Sequence, residues 1–271
     1  MLEDILVVIK GGGDLATGVA YRLHRAGMQV VVTELAQPTV IRRAVAVASA
    51  VYEGQVEVEG LVGRLVGSDQ EIRATLTESQ VPVIIDPQGE VITRLRPTVV
   101  VDAIMAKRNT GTRITDAPIV IGLGPGFTAG VDVHAVIETN RGHNLGRVIL
   151  SGSAEPHTSV PGQTVGFTVE RVLRAPCEGT FMGKWNIGDP VEAGEVVASV
   201  AGEPIMAKIS GVLRGLLADG LFVKAGMKVG DVDPRGVRED CFTISDKARA
   251  IGGGVLEAVL YLLRTTDWSV E

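Results

Sequence analysis

A glycine-rich turn lies between an apolar run and a helical pattern near the beginning of the chain. Residues 5–9 (ILVVI) are apolar, and GGGD then leads into DLATGVAYRLHRA, whose apolar residues recur at helical spacing until Gly27. A second apolar run at 30–32 (VVV) ends near Glu34. A buried strand, a tight turn, an amphipathic helix and another buried strand are the parts of a βαβ unit. This order predicts a parallel sheet.

Further strand-like runs extend that prediction. They occur near 81–86 (VPVIID), 98–103 (TVVVDA) and 118–124 (PIVIGLG), with helical stretches before the first of them. The chain is 45% apolar but only 4% aromatic, so aliphatic side chains must build its core, as in strands buried on both faces. We therefore expect an α/β fold whose residues 1–170 form a Rossmann-like doubly wound sheet that binds a nucleotide or cofactor.

The pattern changes to short, glycine-broken strands after that region. Four residues of EGTFMGKWNIGDPVEAGEVV recur 32 positions later in SGVLRGLLADGLFVKAGMKV. The repeated pairs are Gly179 and Gly211, Gly188 and Gly220, Val191 and Val223, and Gly194 and Gly226. Two related halves of this size predict a small all-β barrel-sandwich hybrid, of the biotinyl/lipoyl carrier type, over residues 171–240.

The joint between the two half-repeats argues against a carrier function. It reads VAGEPI at 200–205 and contains no lysine, and Lys208 follows it. In lipoyl and biotinyl carriers the modified lysine projects from the hairpin tip at this joint. We expect neither lipoyl nor biotin here.

Residues 241–271 return to helical spacing. Ser245 suits the N-cap, and the helix is expected to pack back on the other domains. Three consecutive glycines, 252–254, each cost a helix about 1 kcal/mol relative to alanine. They should therefore lie against the first domain or its ligand, or else the helix breaks there.

The glycine turn matches the dinucleotide-binding fingerprint G-x-G-x-x-A. The matching residues and their neighbours are Gly11, Gly12, Gly13, Asp14 and Ala16. Backbone N–H groups at such a turn can reach a pyrophosphate at the positive end of the helix. Glu34 follows 23 positions after Gly11, where an acid can bind a ribose 2′-OH, which suggests an NAD-type dinucleotide. The alternative is a tight turn without a ligand, since unrelated chains carry the same pattern.

Two more loops should reach the same edge of the sheet. Lys107, Arg108 and Asn109 follow the run VVVD and suit a phosphate or an anionic cofactor. Gly124 and Gly126, in GLGPGFTAG, suit a second cradle of backbone N–H groups. An ordinary basic turn and an ordinary loop are the respective alternatives.

Cysteines and histidines give weaker signals. Cys177 and Cys241 are too few and too far apart for a disulfide framework, and a thiolate that carries sulfur or selenium is the alternative to two inert thiols. His143 and His157 lie in polar loops and are candidates for acid–base chemistry. Histidine spacings match no metal signature, so no metal site is expected.

Charge and hydropathy restrict the partners. A net charge of −6 without a basic patch predicts no nucleic-acid binding. The chain shows neither a signal peptide nor an apolar run of about 18 residues, so we expect a cytoplasmic protein without membrane contact.

Four longer motifs carry a family resemblance. They are GGGDLATGVAYRLHRAG, VVVDAIMAKRN, GLGPGFTAGVDVHAVIETNRGHNLG and FTISDKARAIGGGVLEAVL. Together they resemble the YqeB-like accessory proteins of selenium-dependent molybdenum hydroxylases and, more distantly, the xanthine dehydrogenase accessory factors that handle the molybdopterin cofactor.

The resemblance implies a maturation protein that binds a nucleotide or molybdopterin cofactor and acts on a molybdenum hydroxylase apoenzyme. It implies no catalytic residues. Two alternatives are an NAD-dependent oxidoreductase, with Lys107 as its catalytic group, and a non-enzymatic docking scaffold. Homo-oligomerisation is left open.

Overall fold

The computed structural model describes residues 2–157 and 162–265. In these ranges the chain forms one nine-stranded sheet and two four-stranded sheets. The helices are α1 Asp14–Arg25, α2 Ala50–Glu53, α3 Asp69–Thr77, α4 Glu90–Leu95 and α5 Asp246–Thr265. No helix in the described part of the chain is both long and apolar enough to cross a lipid bilayer.

The large sheet is built around the βαβ unit that the sequence predicts. Its strands are β1 Leu6–Lys10, β2 Gln29–Glu34, β3 Gln55–Val58, β4 Leu61–Val66, β5 Val81–Ile85, β6 Val99–Asp102, β7 Ile119–Leu123, β8 Ala135–Ile137 and β9 Val148–Ile149. They lie in the order β3-β4-β5-β2-β1-β6-β7-β8-β9. Strands β1, β6 and β7 are runs of Val and Ile buried on both faces, as central parallel strands require.

The expected Rossmann-like doubly wound sheet is wrong. The sheet is mixed, because the edge strands β3 and β9 are antiparallel to their neighbours. The segments 103–118 and 124–134, which connect β6 to β7 and β7 to β8, contain no α-helix. Helix α5, from the far end of the chain, packs on β7, β8 and β9 instead. A doubly wound sheet needs a crossover helix between successive parallel strands, and this half of the sheet lacks them.

The expected barrel-sandwich hybrid is also wrong. The strands are β10 Val172–Arg174, β11 Gly179–Gly183, β12 Pro190–Val191, β13 Val196–Val200, β14 Glu203–Met206, β15 Gly211–Leu216, β16 Phe222–Val223 and β17 Lys228–Asp233. They form two antiparallel sheets, in the orders β10-β17-β15-β12 and β14-β13-β11-β16. Strands β12 and β16 are two residues long and each pairs with one neighbour, so no ladder joins the sheets into a barrel. The fold is thus a mixed α/β sheet combined with two antiparallel sheets.

The 32-residue repeat is present in this region. Strand β11 begins at Gly179 and β15 at Gly211, and each half supplies a short strand to the sheet of the other half. The joint between the halves is a two-residue hairpin turn at Ala201 and Gly202, both with positive φ. Lys208 lies beyond the end of β14. The hairpin tip therefore has no lysine, and the absence of lipoyl or biotin stays a prediction.

Helix α5 is unbroken through its three glycines. A Cβ on Gly252 would overlap the carbonyl oxygen of Gly18 in α1, and one on Gly254 would overlap that of Gly146. Conversely, a Cβ on Gly18 would lie 2.6 Å from the carbonyl oxygen of Ala248. The expected close contact with the first domain is confirmed at these two glycines. It is wrong at Gly253, where a Cβ would meet nothing within 4 Å.

We predict opposite effects for two neighbouring substitutions. Gly253→Ala should raise the free energy of unfolding by up to about 1 kcal/mol, because alanine favours the helix and meets no neighbour. Gly252→Ala should lower it by about 1–3 kcal/mol, because the methyl group forces α1 and α5 apart. Urea unfolding of both variants measures this difference. Equal stability of the two variants would contradict the close helix crossing.

Candidate functional site

The carboxyl ends of the parallel strands gather the sequence-predicted residues at one edge of the large sheet. The loops after β1, β6, β7 and β8 emerge there, and α1 begins there. Helix α5 begins at the same edge, since Asp246 in its first turn pairs with Arg141 after β8. Ligands of α/β sheets bind at this edge.

The amino-terminal end of α1 has no side-chain cap in the part of the chain that the structure describes. Its N-cap, Gly13, has no side chain, and the first-turn N–H groups carry the positive end of the helix dipole. Gly13 has φ −64° and ψ 179°, which any residue adopts, and a Cβ there would meet only the Val40 side chain at 3.7 Å. The fold itself does not require glycine at this position.

The other small residues of the fingerprint serve the fold. Gly11 has a positive φ of 87°, and Ala16 is buried in the core. A Cβ on Gly12 would lie 2.9 Å from the backbone nitrogen of Ala48, which donates a hydrogen bond to the Gly12 carbonyl at 2.9 Å. The segment that contains Ala48 thus packs directly on the turn.

Glu34 lies beside the glycine turn as predicted, but it binds the turn itself. Its Oε2 accepts a hydrogen bond from the Gly12 N–H at 2.7 Å, and its Oε1 accepts one from Leu35 at 2.7 Å. Burial raises the pKa of Glu34 despite these two hydrogen bonds, which act to lower it. The carboxylate that was expected to bind a ribose therefore binds the backbone N–H groups of Gly12 and Leu35.

Asp14 is paired rather than free. Its Oδ2 accepts a hydrogen bond from Arg42 Nη1 at 3.3 Å, and Arg42 also donates to the carbonyl of Asp240 at 3.1 Å. Burial lowers the pKa of Arg42, and the Asp14 charge opposes this. Arg42 therefore connects Asp14, at the start of α1, to the segment before α5.

Lys10 and Asp102 form a buried polar cluster that the sequence did not identify as a site. Lys10 is 8% exposed and Asp102 is 2% exposed, on the neighbouring strands β1 and β6. Lys10 donates to Thr112 Oγ1 at 2.6 Å, and Thr112 donates to Asp102 Oδ2 at 2.6 Å. Asp102 also accepts from the Ile104 N–H. This cluster anchors both ends of the loop 103–112.

The structure separates the roles of the three predicted residues in that loop. Asn109 holds the turn, because its side chain bonds the backbone of Gly111 and Thr112. Lys107 is exposed, has a positive φ of 62°, and its Nζ lies 2.7 Å from His157 Nε2. A non-glycine residue in this conformation stores about 1–3 kcal/mol of strain, which is common at functional loops.

Arg108 and the glycines after β7 meet through backbone packing. A Cβ on Gly126 would lie 2.7 Å from Arg108 Cα, and one on Gly124 would overlap Thr139 Oγ1. Both glycines have positive φ. Packing alone therefore explains Gly124 and Gly126, and the predicted second anion cradle has no separate support.

Lys247 is the site residue that sequence reasoning missed. It lies in the first turn of α5, half-buried, within electrostatic range of Asp14 and Glu138. Among residues 2–157 and 162–265, no carboxylate lies within ion-pair distance of it and no hydrogen bond reaches its side chain. Burial lowers the pKa of Lys247, although nearby acidic charges oppose this. A lysine in the first turn of a helix faces the positive end of the dipole, and this unfavourable placement was the available signal.

The residues around Lys247 are held by their own partners. Arg141 donates to both oxygens of Asp246 at 2.6 and 2.9 Å, and these hydrogen bonds hold the pKa of Asp246 well below its usual range. Glu138 is buried and accepts from the backbone N–H groups of Asn140 and Glu155. These contacts fix the loop after β8 beside α5. Ser245 caps α5 as predicted, accepting from the Ala248 N–H at 3.2 Å.

Among the described residues, the cysteines are separate from one another and the histidines form no metal-binding group. Cys241 is fully buried, and burial raises the pKa of its thiol, which opposes a role as a carrier of sulfur or selenium. Cys177 is half-buried, and its Sγ contacts the Val200 carbonyl at 3.5 Å. His143 is exposed. In the described ranges, no group of three or more His, Cys, Asp or Glu side chains is arranged to hold a metal ion.

The groups at this edge are of the kind that binds anions. The amino-terminal ends of α1 and α5 converge there with Lys247, and Lys107 lies on the loop after β6. A groove of 710 Å³ lies at the opposite, amino edge, between the end of α4 and the start of β7, and it contains none of these residues. Positive helix ends and a poorly neutralised lysine favour a phosphate-type group.

The chain is similar in sequence to a bacterial protein. It is 52% identical over 258 residues to the Escherichia coli (strain K12) protein described as uncharacterized protein YqeB. The match covers 95% of this chain and 48% of the relative, so the chain spans about half the length of that protein. This similarity supports the YqeB-like resemblance. No protein-family model matches the chain.

Solved structures show only a low level of similarity. TcdA (CsdL) is 14% identical, with 97% of this chain and 90% of that chain covered, at a TM-score of 0.34. The ectoine utilization protein EutE (DoeB) from Ruegeria pomeroyi is 14% identical, with 84% of each chain covered, at a TM-score of 0.25. An aspartoacylase family protein from Mesorhizobium loti is 12% identical over 84% of each chain, at a TM-score of 0.26. At these TM-scores we transfer no activity to this chain.

We predict that Lys247→Met stabilises the protein. Replacing a half-buried cation that lacks a close partner with an apolar side chain should raise the free energy of unfolding by about 0.5–1 kcal/mol. Lys224→Met, at an exposed lysine of the second region, is the matched control and should change little. A loss of stability in Lys247→Met would show that the charge is already compensated.

The same comparison should depend on pH. The folded state disfavours the Lys247 charge, so its folded pKa is below its unfolded pKa and the unfolded chain binds more protons. The wild-type protein should therefore gain stability relative to Lys247→Met as the pH rises toward the ordinary lysine pKa of about 10.4. Urea unfolding of both proteins between neutral and alkaline pH measures this. A constant difference across that range would contradict the lowered pKa.

Proposed function

We propose that this protein is an accessory factor in the maturation of selenium-dependent molybdenum hydroxylases and that it binds a phosphate-bearing cofactor, a nucleotide or a molybdopterin, at the carboxyl edge of its large sheet. The observation that carries the proposal is the convergence of two helix amino-terminal ends with Lys247. A phosphate group there accepts hydrogen bonds from backbone N–H groups and neutralises the lysine.

The electrostatics of the site favour an anionic group. The whole chain carries a net charge of −6, so attraction for an anion at this edge must come from local groups. The acids nearest to it are already engaged, because Asp14 pairs with Arg42, Asp246 pairs with Arg141, and Glu138 accepts two backbone hydrogen bonds. Lys247 has no such close partner in the described ranges. A bound phosphate would supply the missing counter-charge.

The shape of the glycine turn supports the same proposal. Gly13 has an ordinary backbone conformation and almost no neighbour at its Cβ position, so the space beside it is available to a ligand that approaches the backbone closely. The neighbouring Gly12 is packed against Ala48 and has no such space. The ligand would therefore contact the turn at Gly13 and the first residues of α1.

The link to molybdenum hydroxylases rests on the four motifs of the family resemblance. They lie far apart in sequence, yet each supplies residues to this one edge: Gly13 from the first, Lys107 from the second, Glu138 and Arg141 from the third, and Lys247 from the fourth. This arrangement is what a shared cofactor site would require. The 52% identity to YqeB supports the same grouping.

The alternative, an NAD-dependent oxidoreductase, has weaker support. It requires Glu34 to bind a ribose, but each Glu34 oxygen already accepts a backbone hydrogen bond from Gly12 or Leu35. Its proposed catalytic group, Lys107, contacts His157 on the exposed loop. Phosphate contacts at Gly13 and Lys247 leave both the Glu34 hydrogen bonds and the contact of Lys107 with His157 in place.

We predict that ligand binding depends on Gly13 and Lys247. Isothermal titration with ADP, whose diphosphate is the simplest probe of the site, should show binding to the wild-type protein. Gly13→Ala and Lys247→Gln should each weaken the affinity about tenfold or more, because they block the approach or remove a charge-assisted hydrogen bond. The control Lys224→Gln, at an exposed lysine, should bind as the wild type does. Unchanged affinity in both site variants would refute the site.

The maturation role is tested in the native host. Deleting the gene should abolish the activity of a selenium-dependent molybdenum hydroxylase, and the wild-type or Lys224→Gln protein should restore it. Lys247→Gln and Gly13→Ala should not. Full hydroxylase activity in the deletion strain would refute the role, whereas NAD⁺ reduction that depends on Gly13 would favour the oxidoreductase.

A further inference from the structure

A second basic site lies between the two helices. A pocket of 450 Å³ lies between the last turns of α1 and the first half of α5. Its lining residues are Tyr21, Arg22, Arg25, Ala26, Arg249 and Leu256. None of these was identified from the sequence, and none belongs to the proposed cofactor site.

The pocket carries more positive charge than its neighbours compensate. Arg249 pairs with Glu59 and donates from Nε to the Ile244 carbonyl. Within residues 2–157 and 162–265, no carboxylate lies within ion-pair distance of Arg22 or Arg25. The Nε atom of Arg22 is buried without a hydrogen-bond partner in the structure. A buried donor without a partner is costly, and an acceptor bound beside Arg22 would offset that cost.

Tyr21 holds the guanidinium groups in place. The guanidinium carbons of Arg25 and Arg249 lie 5.5 and 5.4 Å from the centre of its ring, and Arg25 Nη1 donates to its hydroxyl at 3.2 Å. Because these contacts are cation–π interactions, they leave the remaining N–H groups available. The Arg25 and Arg249 side chains are thus positioned before any ligand arrives.

We propose that this pocket binds a multivalent oxyanion of the phosphate type, either free or as the phosphate end of a small metabolite. Planar guanidinium groups bind phosphate oxygens through paired hydrogen bonds, and three of them line one pocket. The volume lies in the range of about 300–1,000 Å³ that is usual for small-molecule sites. The Tyr21 ring is already engaged by two guanidinium groups, so the ligand is recognised by its charge rather than by stacking.

An anion in this pocket would join two elements of the fold. Arg22 and Arg25 belong to α1, whereas Arg249 belongs to α5. A ligand that contacts both helices stabilises their crossing, because it binds the folded state and not the unfolded chain. Saturating pyrophosphate should therefore raise the melting temperature.

The test separates this pocket from the carboxyl edge. Isothermal titration with pyrophosphate is carried out on the Lys247→Gln protein, in which the proposed cofactor site is weakened. One pyrophosphate site should remain, and adding Arg25→Gln or Arg22→Gln should weaken it about tenfold or more. The matched control is Arg73→Gln, which removes the same charge from an exposed position on α3 and should leave the affinity unchanged. Arg25 is exposed, so Arg25→Gln decides the matter if Arg22→Gln does not fold.

A second arm distinguishes the source of the anion. The affinities of glucose 6-phosphate and inorganic phosphate are compared, each in the presence and absence of Arg25. Tighter binding of glucose 6-phosphate identifies a phosphorylated metabolite as the ligand, and tighter binding of inorganic phosphate identifies a free oxyanion. Either order supports the site. Absence of binding at millimolar pyrophosphate, equal affinity in Arg25→Gln, or an equal loss in Arg73→Gln would overturn it.

Discussion

The close crossing of α1 and α5 is the contact on which the candidate site depends. Gly18 and Gly252 allow the two backbones to touch, and larger side chains at either position would push the helices apart. Because the helices begin at the same edge of the sheet, this contact places Lys247 beside the glycine turn, 233 positions after Asp14 along the chain. Without the crossing, Lys247 would not lie beside the glycine turn.

Polar groups at the sheet edge divide into two kinds according to their partners. Lys10 and Asp102 are buried and joined through Thr112, and Glu138 accepts two backbone hydrogen bonds. Groups with such internal partners fix the loops. Lys247 is half-buried without a close counter-charge in the described ranges, and this is why we propose it as a ligand-binding residue. The distinction depends on contacts, not on residue type.

The glycines of the turn show why a motif alone is ambiguous. Gly11 is required by its positive φ and Gly12 by the approach of Ala48, so both would be present in a turn that binds nothing. Gly13 has neither a positive φ nor a close neighbour that would require glycine. The fingerprint contains both structural glycines and one glycine that a ligand would explain, and the sequence pattern cannot tell them apart.

Local periodicity was sufficient to predict the first strand–turn–helix–strand unit, the 32-residue repeat, the lysine-free hairpin at Ala201 and the Ser245 cap. Each of these is set by residues that are neighbours in sequence or by a simple repeat of them. Tertiary structure decided the other features. These are the antiparallel edge strands, the two separate small sheets, the outward-facing Gly253 and the position of Lys247. They depend on which strand edges pair and which helix faces pack together between segments far apart in sequence. Side-chain periodicity indicates only that a face is buried, and it does not indicate which element covers that face.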